Sequence, residues 1–268
     1  MLDFQYRARY TVDDFRTLVH LLRQKDGCPW DSVQTHHSIR DNFLEETYEA
    51  CEAIDNEDTA LLREELGDVL MQVIFHASIE EDAGHFDLDD VADTACRKLI
   101  FRHPFLFQEN APAQSWEELK SQEKGFTSRT QALEAVARSL PALWRAKKLQ
   151  KRAADAGFHW NDTEGPLRKA EEELSELREA VASDGNVEEE LGDLLFALVA
   201  VARAAGIDPE HALNRASDKF IRRFGCMEAL ADREMGSLSQ EEYLALWQRA
   251  KEQTCSYESE SALLKDRK

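Results

Sequence analysis

The feature that most constrains this chain is that it repeats itself. FLEETYEACEAI, beginning at Phe43 and followed by EELGDVLMQV from Glu64, returns as AEEELSELREAV from Ala170, followed by EELGDLLFAL from Glu189. Three flanking blocks repeat in the same order: GCPWD at Gly27–Asp31 with GFHWN at Gly157–Asn161, Lys98 and Arg102 with Lys219 and Arg223, and Trp116 and Lys120 with Trp247 and Lys251. Whatever fold forms must therefore form twice, in domains of about 115 to 125 residues each, a size that supports one core per copy. We divide the chain into domain 1–124, a polar linker 125–138, domain 139–253 and a tail 254–268. The tail has no apolar stripe and is expected to be mobile.

Within each copy the apolar residues recur with a helical period, and the 11 glycines and 6 prolines fall mostly at segment edges. The pattern predicts helices near 12–25, 38–55, 59–82, 88–101, 115–124, 139–155, 166–182, 187–205, 209–234 and 240–253, with no sheet. Start signals support these positions: Thr11 with Asp14, Ser115 with Glu118, Asn186 with Glu189 and Ser239 with Glu242 place a capping side chain three residues before an acid. Asp208-Pro209 adds a cap followed by proline at the first helical position. The expected class is all-α, two tandem homologous helical bundles.

Charge narrows the function. With 33 Lys and Arg against 53 Asp and Glu, the net charge of −20 repels nucleic-acid backbones and anionic membrane surfaces, so neither is expected as a partner. The longest apolar run, Leu194 to Ala202, is far short of the roughly 20 residues that span a bilayer. The opening MLDFQYRARYTV lacks the apolar stretch of a secretory signal. Five cysteines with no CxxC pair fit free thiols, and a cytoplasmic location is expected.

The acids carry the strongest functional signal. Glu46/Glu49 and Glu65/Asp68 in the first copy, and Glu173/Glu176 and Glu190/Asp193 in the second, are pairs spaced three apart, so each pair shares one helix face. The pairs lie symmetrically about the predicted turns near 57 and 183. If each helix pair folds back antiparallel, four carboxylates converge. A single ExxE in a chain one-fifth acidic is ordinarily a solvated face; the turn-centred geometry of both copies favours hard cations, Mg²⁺ with Mn²⁺ as substitute. No histidine follows a glutamate by three, which weakens a di-iron reading. Gly67 and Gly192 sit in mid-helix between the acids, where close approach of a neighbouring backbone or inheritance through duplication would account for them.

Cations and aromatic planes accompany the acids. Lys98/Arg102 and Lys219/Arg223 are i,i+4 pairs, while Trp116/Lys120 and Trp247/Lys251 set a ring beside a charge. Metal for phosphates, basic groups and a flat surface together suit a nucleotide. Taken alone, the basic pairs read as solvated faces, Trp116 and Trp247 equally as core or interdomain anchors, and Trp30 and Trp160 as core. Lys169 stands four residues before Glu173 and can reach the same acids, where the first copy has Asn42. Arg222 beside Arg223 adds charge where the first copy has Arg102 followed by His103. The second domain is therefore expected to carry more of the activity.

EETYE with EELGD, and EELSE with EELGD, resemble the EExxE…ExxD signature of the all-α nucleoside triphosphate pyrophosphohydrolases. The succession CPWD, LEETYE, ELGDVLMQV, FRHPFLF, SLPAL, GFHW and the second signature is similar to the two-domain MazG family over nearly the whole chain. The resemblance implies a helical homodimer that hydrolyses nucleoside triphosphates to the monophosphate and pyrophosphate with Mg²⁺. It implies metal ligation by Glu173, Glu176, Glu190 and Asp193, with Glu46, Glu49, Glu65 and Asp68 as counterparts. It also implies nucleotide contacts at Lys169, Glu172, Lys219, Arg223, Trp247 and Lys251, with Lys98, Arg102, Trp116 and Lys120 as weaker first-copy counterparts. Phe101-Arg102-His103 departs from the two consecutive arginines common in the family. Water is expected to attack the α-phosphorus, with Glu172 or Glu189, or Glu45 or Glu64 in the first copy, accepting its proton. The alternatives are a narrow-specificity pyrophosphohydrolase of the same superfamily and a non-enzymatic acidic adaptor for a partner protein. A regulatory protein partner is left unidentified.

Overall fold

The computed structural model describes residues 3–109 and 114–265, with side chains through Gln253. The described residues form helices and no strand, as the class expectation required. The chain divides into two compact units, Met1–Gly125 and Phe126–Lys268. No helix among the described residues is long and apolar enough to cross a membrane.

The first unit comprises α1 (Val12–Arg23), α2 (Arg40–Asp55), α3 (Thr59–Asp82), α4 (Leu88–Arg102), the short α5 (Pro104–Phe107) and α6 (Trp116–Glu123). Thr11 caps α1 and Ser115 caps α6 in reciprocal boxes with Asp14 and Glu118. Ahead of α2, Gly27 lies so close under α1 that a Cβ there would stand 2.4 Å from the carbonyl oxygens of Leu21 and Leu22. Only glycine lets Cys28 N–H reach the Leu22 carbonyl at 2.8 Å. The core gathers Val19, Ile39, Ile74 and Phe75 where α1 crosses α3. Against it Arg23 buries its guanidinium, which lies over the Phe75 ring at 5.0 Å and pairs with Asp82 at 2.6 Å.

The second unit comprises α7 (Arg129–Glu134), α8 (Ala142–Asp155), α9 (Glu164–Ser183), α10 (Val187–Ala204), α11 (Pro209–Leu230) and α12 (Gln240–Lys265). Asn186, Asp208 and Ser239 accept from the first-turn amides expected of them. A core of Met227, Leu246 and Ala250 joins α11 to α12. The segment expected as linker contains α7, and it packs on α8: the Arg152 guanidinium donates to the Ala132 carbonyl, and Val136 is buried. The backbone of α12 continues helically past Thr254, where the tail was expected to begin; side chains beyond Gln253, Cys255 included, lie outside the described residues.

Two helical hairpins dominate, α2/α3 and α9/α10. Their contacts bury small residues, Ala50 and Ala53 in one, Ala170, Ala180, Ala197 and Ala200 in the other. Small side chains let the paired backbones approach closely, which brings what the helices carry on adjoining faces within reach. The turns are short: Asn56–Asp58, with Glu57 at φ 57°, and Asp184–Asn186, with Asp184 at φ 55°. Both are non-glycine residues in the left-handed region, a conformation that costs about 1–2 kcal/mol and is held by the hydrogen bonds around it. Asp58 Oδ1 accepts from Ala60 and Leu61 N–H, and Gly185 N–H donates to the Ala180 carbonyl.

Candidate active site

Each hairpin gathers carboxylates from its two helices. In the first unit Glu46 and Glu49 of α2 and Glu65 of α3 each offer an oxygen within 4.8 Å of the others; in the second, Glu173 of α9 with Glu190 and Asp193 of α10 do the same. Asp68 and Glu176 fall outside these triads but act on them. Burial, followed by the charge of Asp68, pushes the Glu46 carboxyl above the usual carboxylate range, and burial with the charges of Glu49, Asp68 and Glu46 does the same for Glu65. Glu176 is raised by burial and then by Glu173. These acids have been brought together against their mutual repulsion.

The donor set fits a hard divalent cation. Every contributor is a carboxylate oxygen. Glu173 is 6% exposed, and its Oε2 is buried with no hydrogen-bond partner, an arrangement costly to leave uncompensated. Its Oε1 is met by Lys169 Nζ at 2.7 Å, and the same ammonium reaches Glu172 Oε1 at 2.7 Å. Those two hydrogen bonds, Glu172 first, hold the Lys169 ammonium above the usual lysine range. Of the residues suggested as proton acceptors, Glu172 is thus on the triad's border, with Glu45 and Glu64 adding charge beside Glu46 and Glu65. Glu189 instead serves the start of α10, its Oε2 accepting from Asn186 Nδ2 at 2.6 Å.

The basic and aromatic residues assemble as pairs. Arg223 lies over the Trp247 ring at 5.9 Å, with Phe220 alongside at 5.5 Å; Lys219 and Arg222 stand on α11 and Lys251 on α12, two helices that pack together. In the first unit Lys98 and Arg102 stand on α4 and Trp116 and Lys120 on α6, helices that also pack together. There Arg102 is committed within the fold: its side chain is 10% exposed, its Nε donates to Glu123 Oε2 at 2.6 Å, and its guanidinium covers Trp116 at 5.2 Å. His103 meets the same ring edge-on. Trp116 is 43% exposed. Trp30 and Trp160, expected in the core, are 57% and 42% exposed; Trp160 lies against Gly165, where a Cβ would come within 2.2 Å of its ring. Close backbone approach does not explain Gly67 and Gly192, because a Cβ at either would meet nothing within 4 Å.

The sequence analysis missed a line of titratable groups in the first unit. His36, just before α2, meets His76 through paired Nδ1 atoms at 2.7 Å and Glu80 through Nε2 at 2.5 Å, while the other Glu80 oxygen meets His85 at 2.7 Å. The i,i+4 spacing of His76 and Glu80 was the available signal. His36, His76 and Glu80, with Arg40 and Phe86, line a cavity of about 450 Å³. Burial, then His36, pushes His76 down, and hydrogen bonds from His85 and His36 push Glu80 down. The stability tied to His76 is present above its unfolded value, about 6.5, and is lost as pH falls from there to the folded value; that tied to Glu80 is lost at more acid pH. We expect the melting temperature of His76→Gln to depend less steeply on pH than that of the wild type between about pH 8 and 5.5. Parallel profiles would refute the assignment.

The fold and its acids define a class: tandem α-helical proteins in which each hairpin presents a carboxylate cluster. A profile of the MazG nucleotide pyrophosphohydrolase domain matches residues 34–107 and 163–225, segments that contain both hairpins. The chain is 41% identical over 250 residues to the nucleoside triphosphate pyrophosphohydrolase/pyrophosphatase MazG of Thermotoga maritima, covering 91% of this chain and 97% of the relative. It is 41% identical over 256 residues to a nucleoside triphosphate pyrophosphohydrolase of Escherichia coli K12, covering 90% and 97%. The chain belongs to the MazG family of nucleotide pyrophosphohydrolases.

Proposed function

We propose that the protein hydrolyses nucleoside triphosphates to the nucleoside monophosphate and pyrophosphate, with Mg²⁺, or Mn²⁺ in its place, held by Glu173, Glu176, Glu190 and Asp193. The observation that carries this reading is the second-unit triad around the buried, unpartnered Glu173 oxygen. A divalent cation bound there would neutralise phosphate oxygens and make a water more acidic. The chain's own groups supply the rest. Lys219, Arg222, Arg223 and Lys251 offset the remaining phosphate charge, and Trp247 presents a ring to the base. Glu172, whose Oε1 meets Lys169, or Glu189, whose Oε2 accepts from Asn186, takes the attacking water's proton. The first-unit acids Glu46, Glu49, Glu65 and Asp68 form a second, weaker centre, because Asn42 and Phe101 stand there in place of Lys169 and Arg222.

Phosphorus NMR of the products tests the reaction. Monophosphate and pyrophosphate are expected; diphosphate with orthophosphate would place attack at the γ-phosphorus and overturn the reading.

Apolar surface supports assembly. Leu191, Leu195 and Leu198 of α10 are 46%, 46% and 48% exposed, and Phe105, Leu106 and Phe107 of α5 are exposed to 60% or more. We expect a homodimer by sedimentation equilibrium, weakened by Leu195→Asp with Leu198→Asp. A wild-type monomer at all concentrations would contradict this.

A further inference from the structure

The two acidic clusters differ in the charge that accompanies them. In the second unit a cation is already present: Lys169, one turn ahead of Glu173 on α9, places its ammonium 2.7 Å from Glu172 and 2.7 Å from Glu173. The equivalent position on α2, four residues before Glu46, is Asn42, which carries no charge. The first cluster is thus a bare set of acids, whereas the second is partly neutralised from within.

We propose that Lys169 is a tethered counter-ion that couples cation uptake to triphosphate arrival in the second unit, while the first unit takes up cations independently. A divalent ion approaching Glu173 meets the ammonium on one carboxylate oxygen and must displace it or bear its repulsion, so affinity without nucleotide is low. The other oxygen, Oε2, is buried and unpartnered, so the ammonium does not compete for it. A triphosphate offers the ammonium a more highly charged partner than a single carboxylate. The lysine stem is long and partly exposed, so the ammonium can swing from Glu173 to a phosphate oxygen without backbone movement. Metal and nucleotide then strengthen one another by the same factor, since coupling between two ligands is reciprocal. Lys169 acts here as a positioning residue for the cation. The inference rests on the reading of Glu173, Glu190 and Asp193 as a divalent-cation site.

Mn²⁺ binding to the full-length protein, followed by electron paramagnetic resonance, tests it without reference to turnover. In the Glu65→Gln background, which disables the first-unit cluster, wild-type Lys169 should give weak Mn²⁺ binding that α,β-methylene triphosphate tightens about 5- to 150-fold, the usual span of such coupling. Lys169→Met should tighten Mn²⁺ binding in the absence of nucleotide and shrink that factor toward one. Lys169→Arg, which keeps the charge, should retain the coupling. Mn²⁺ affinity that depends on Glu190 but is the same with Lys169 and Met would overturn the counter-ion role alone. No Glu190-dependent Mn²⁺ binding, with or without the triphosphate analogue, would overturn the cation-site reading and the inference with it.

Discussion

Glu190→Gln is expected to lower kcat/KM for triphosphate hydrolysis by about 10³-fold or more, whereas Glu65→Gln costs less than about tenfold. Each residue belongs to its own unit's triad, Glu65 with Glu46 and Glu49, and Glu190 with Glu173 and Asp193. The surroundings separate them. The second unit has Lys169 at the acids, and Lys219, Arg222 and Arg223 together on α11. The first unit has the uncharged Asn42 and Phe101 at the positions of Lys169 and Arg222. A missing cation beside a polyphosphate costs about 1–3 kcal/mol, which compounds when two are missing. Circular dichroism should show unchanged helicity in both variants, because a ligand repelled by its neighbours does not hold the fold together. Greater loss in Glu65→Gln than in Glu190→Gln would reverse the ranking of the two units.

Mg²⁺ should raise the melting temperature of the protein by about 10 °C when present at roughly 100 times its dissociation constant, where linkage contributes about 2.7 kcal/mol. The sign follows from the acids: Glu46 and Glu65 are raised by burial and by their neighbours' charges, so the metal-free clusters oppose folding at neutral pH. Acidification should relieve the same repulsion, with stability tied to these two groups growing as pH falls through their raised values. Calorimetry with NaCl matched for ionic strength separates site binding from screening. The doubly substituted Glu65→Gln, Glu190→Gln protein should lose most of the Mg²⁺ response. An equal response there would place the ion elsewhere.

Much of this was legible in the sequence because local signals and packing agree. Caps at Thr11, Ser115, Asn186, Asp208 and Ser239 act through neighbouring backbone, so position alone reveals them. The hairpins followed from acid pairs symmetric about a turn, which is arithmetic on helix rise. What escaped depends on contacts distant in the chain or on segments too short for a period. The four-residue α5 and six-residue α7 complete fewer than two turns, and α7 is recognisable only through its packing on α8. The engagement of Arg102 by Glu123, 21 residues away, leaves no trace in spacing. The His36–His76–Glu80 line needs a loop and a helix 40 residues apart to meet. Trp30 and Trp160 were assigned to the core by residue type, which says little about how completely a ring is covered.

The three-residue turns of the hairpins bear on how such a protein can be altered. Exposed loops ordinarily accept insertions, since doubling a loop's length adds only about 0.6 kcal/mol of closure entropy. At Asn56–Asp58 and Asp184–Asn186 that tolerance extends to folding but not to the register of the acids. One residue added to the helical side of either turn would rotate the downstream carboxylates by about 100° and shift them about 1.5 Å along the axis. Glu65 would then leave Glu46, or Glu190 leave Glu173, in a chain that remains helical. Length variation at these two turns is therefore a marker of a copy released from catalysis, and a graft of other sequence into this scaffold belongs elsewhere on its surface.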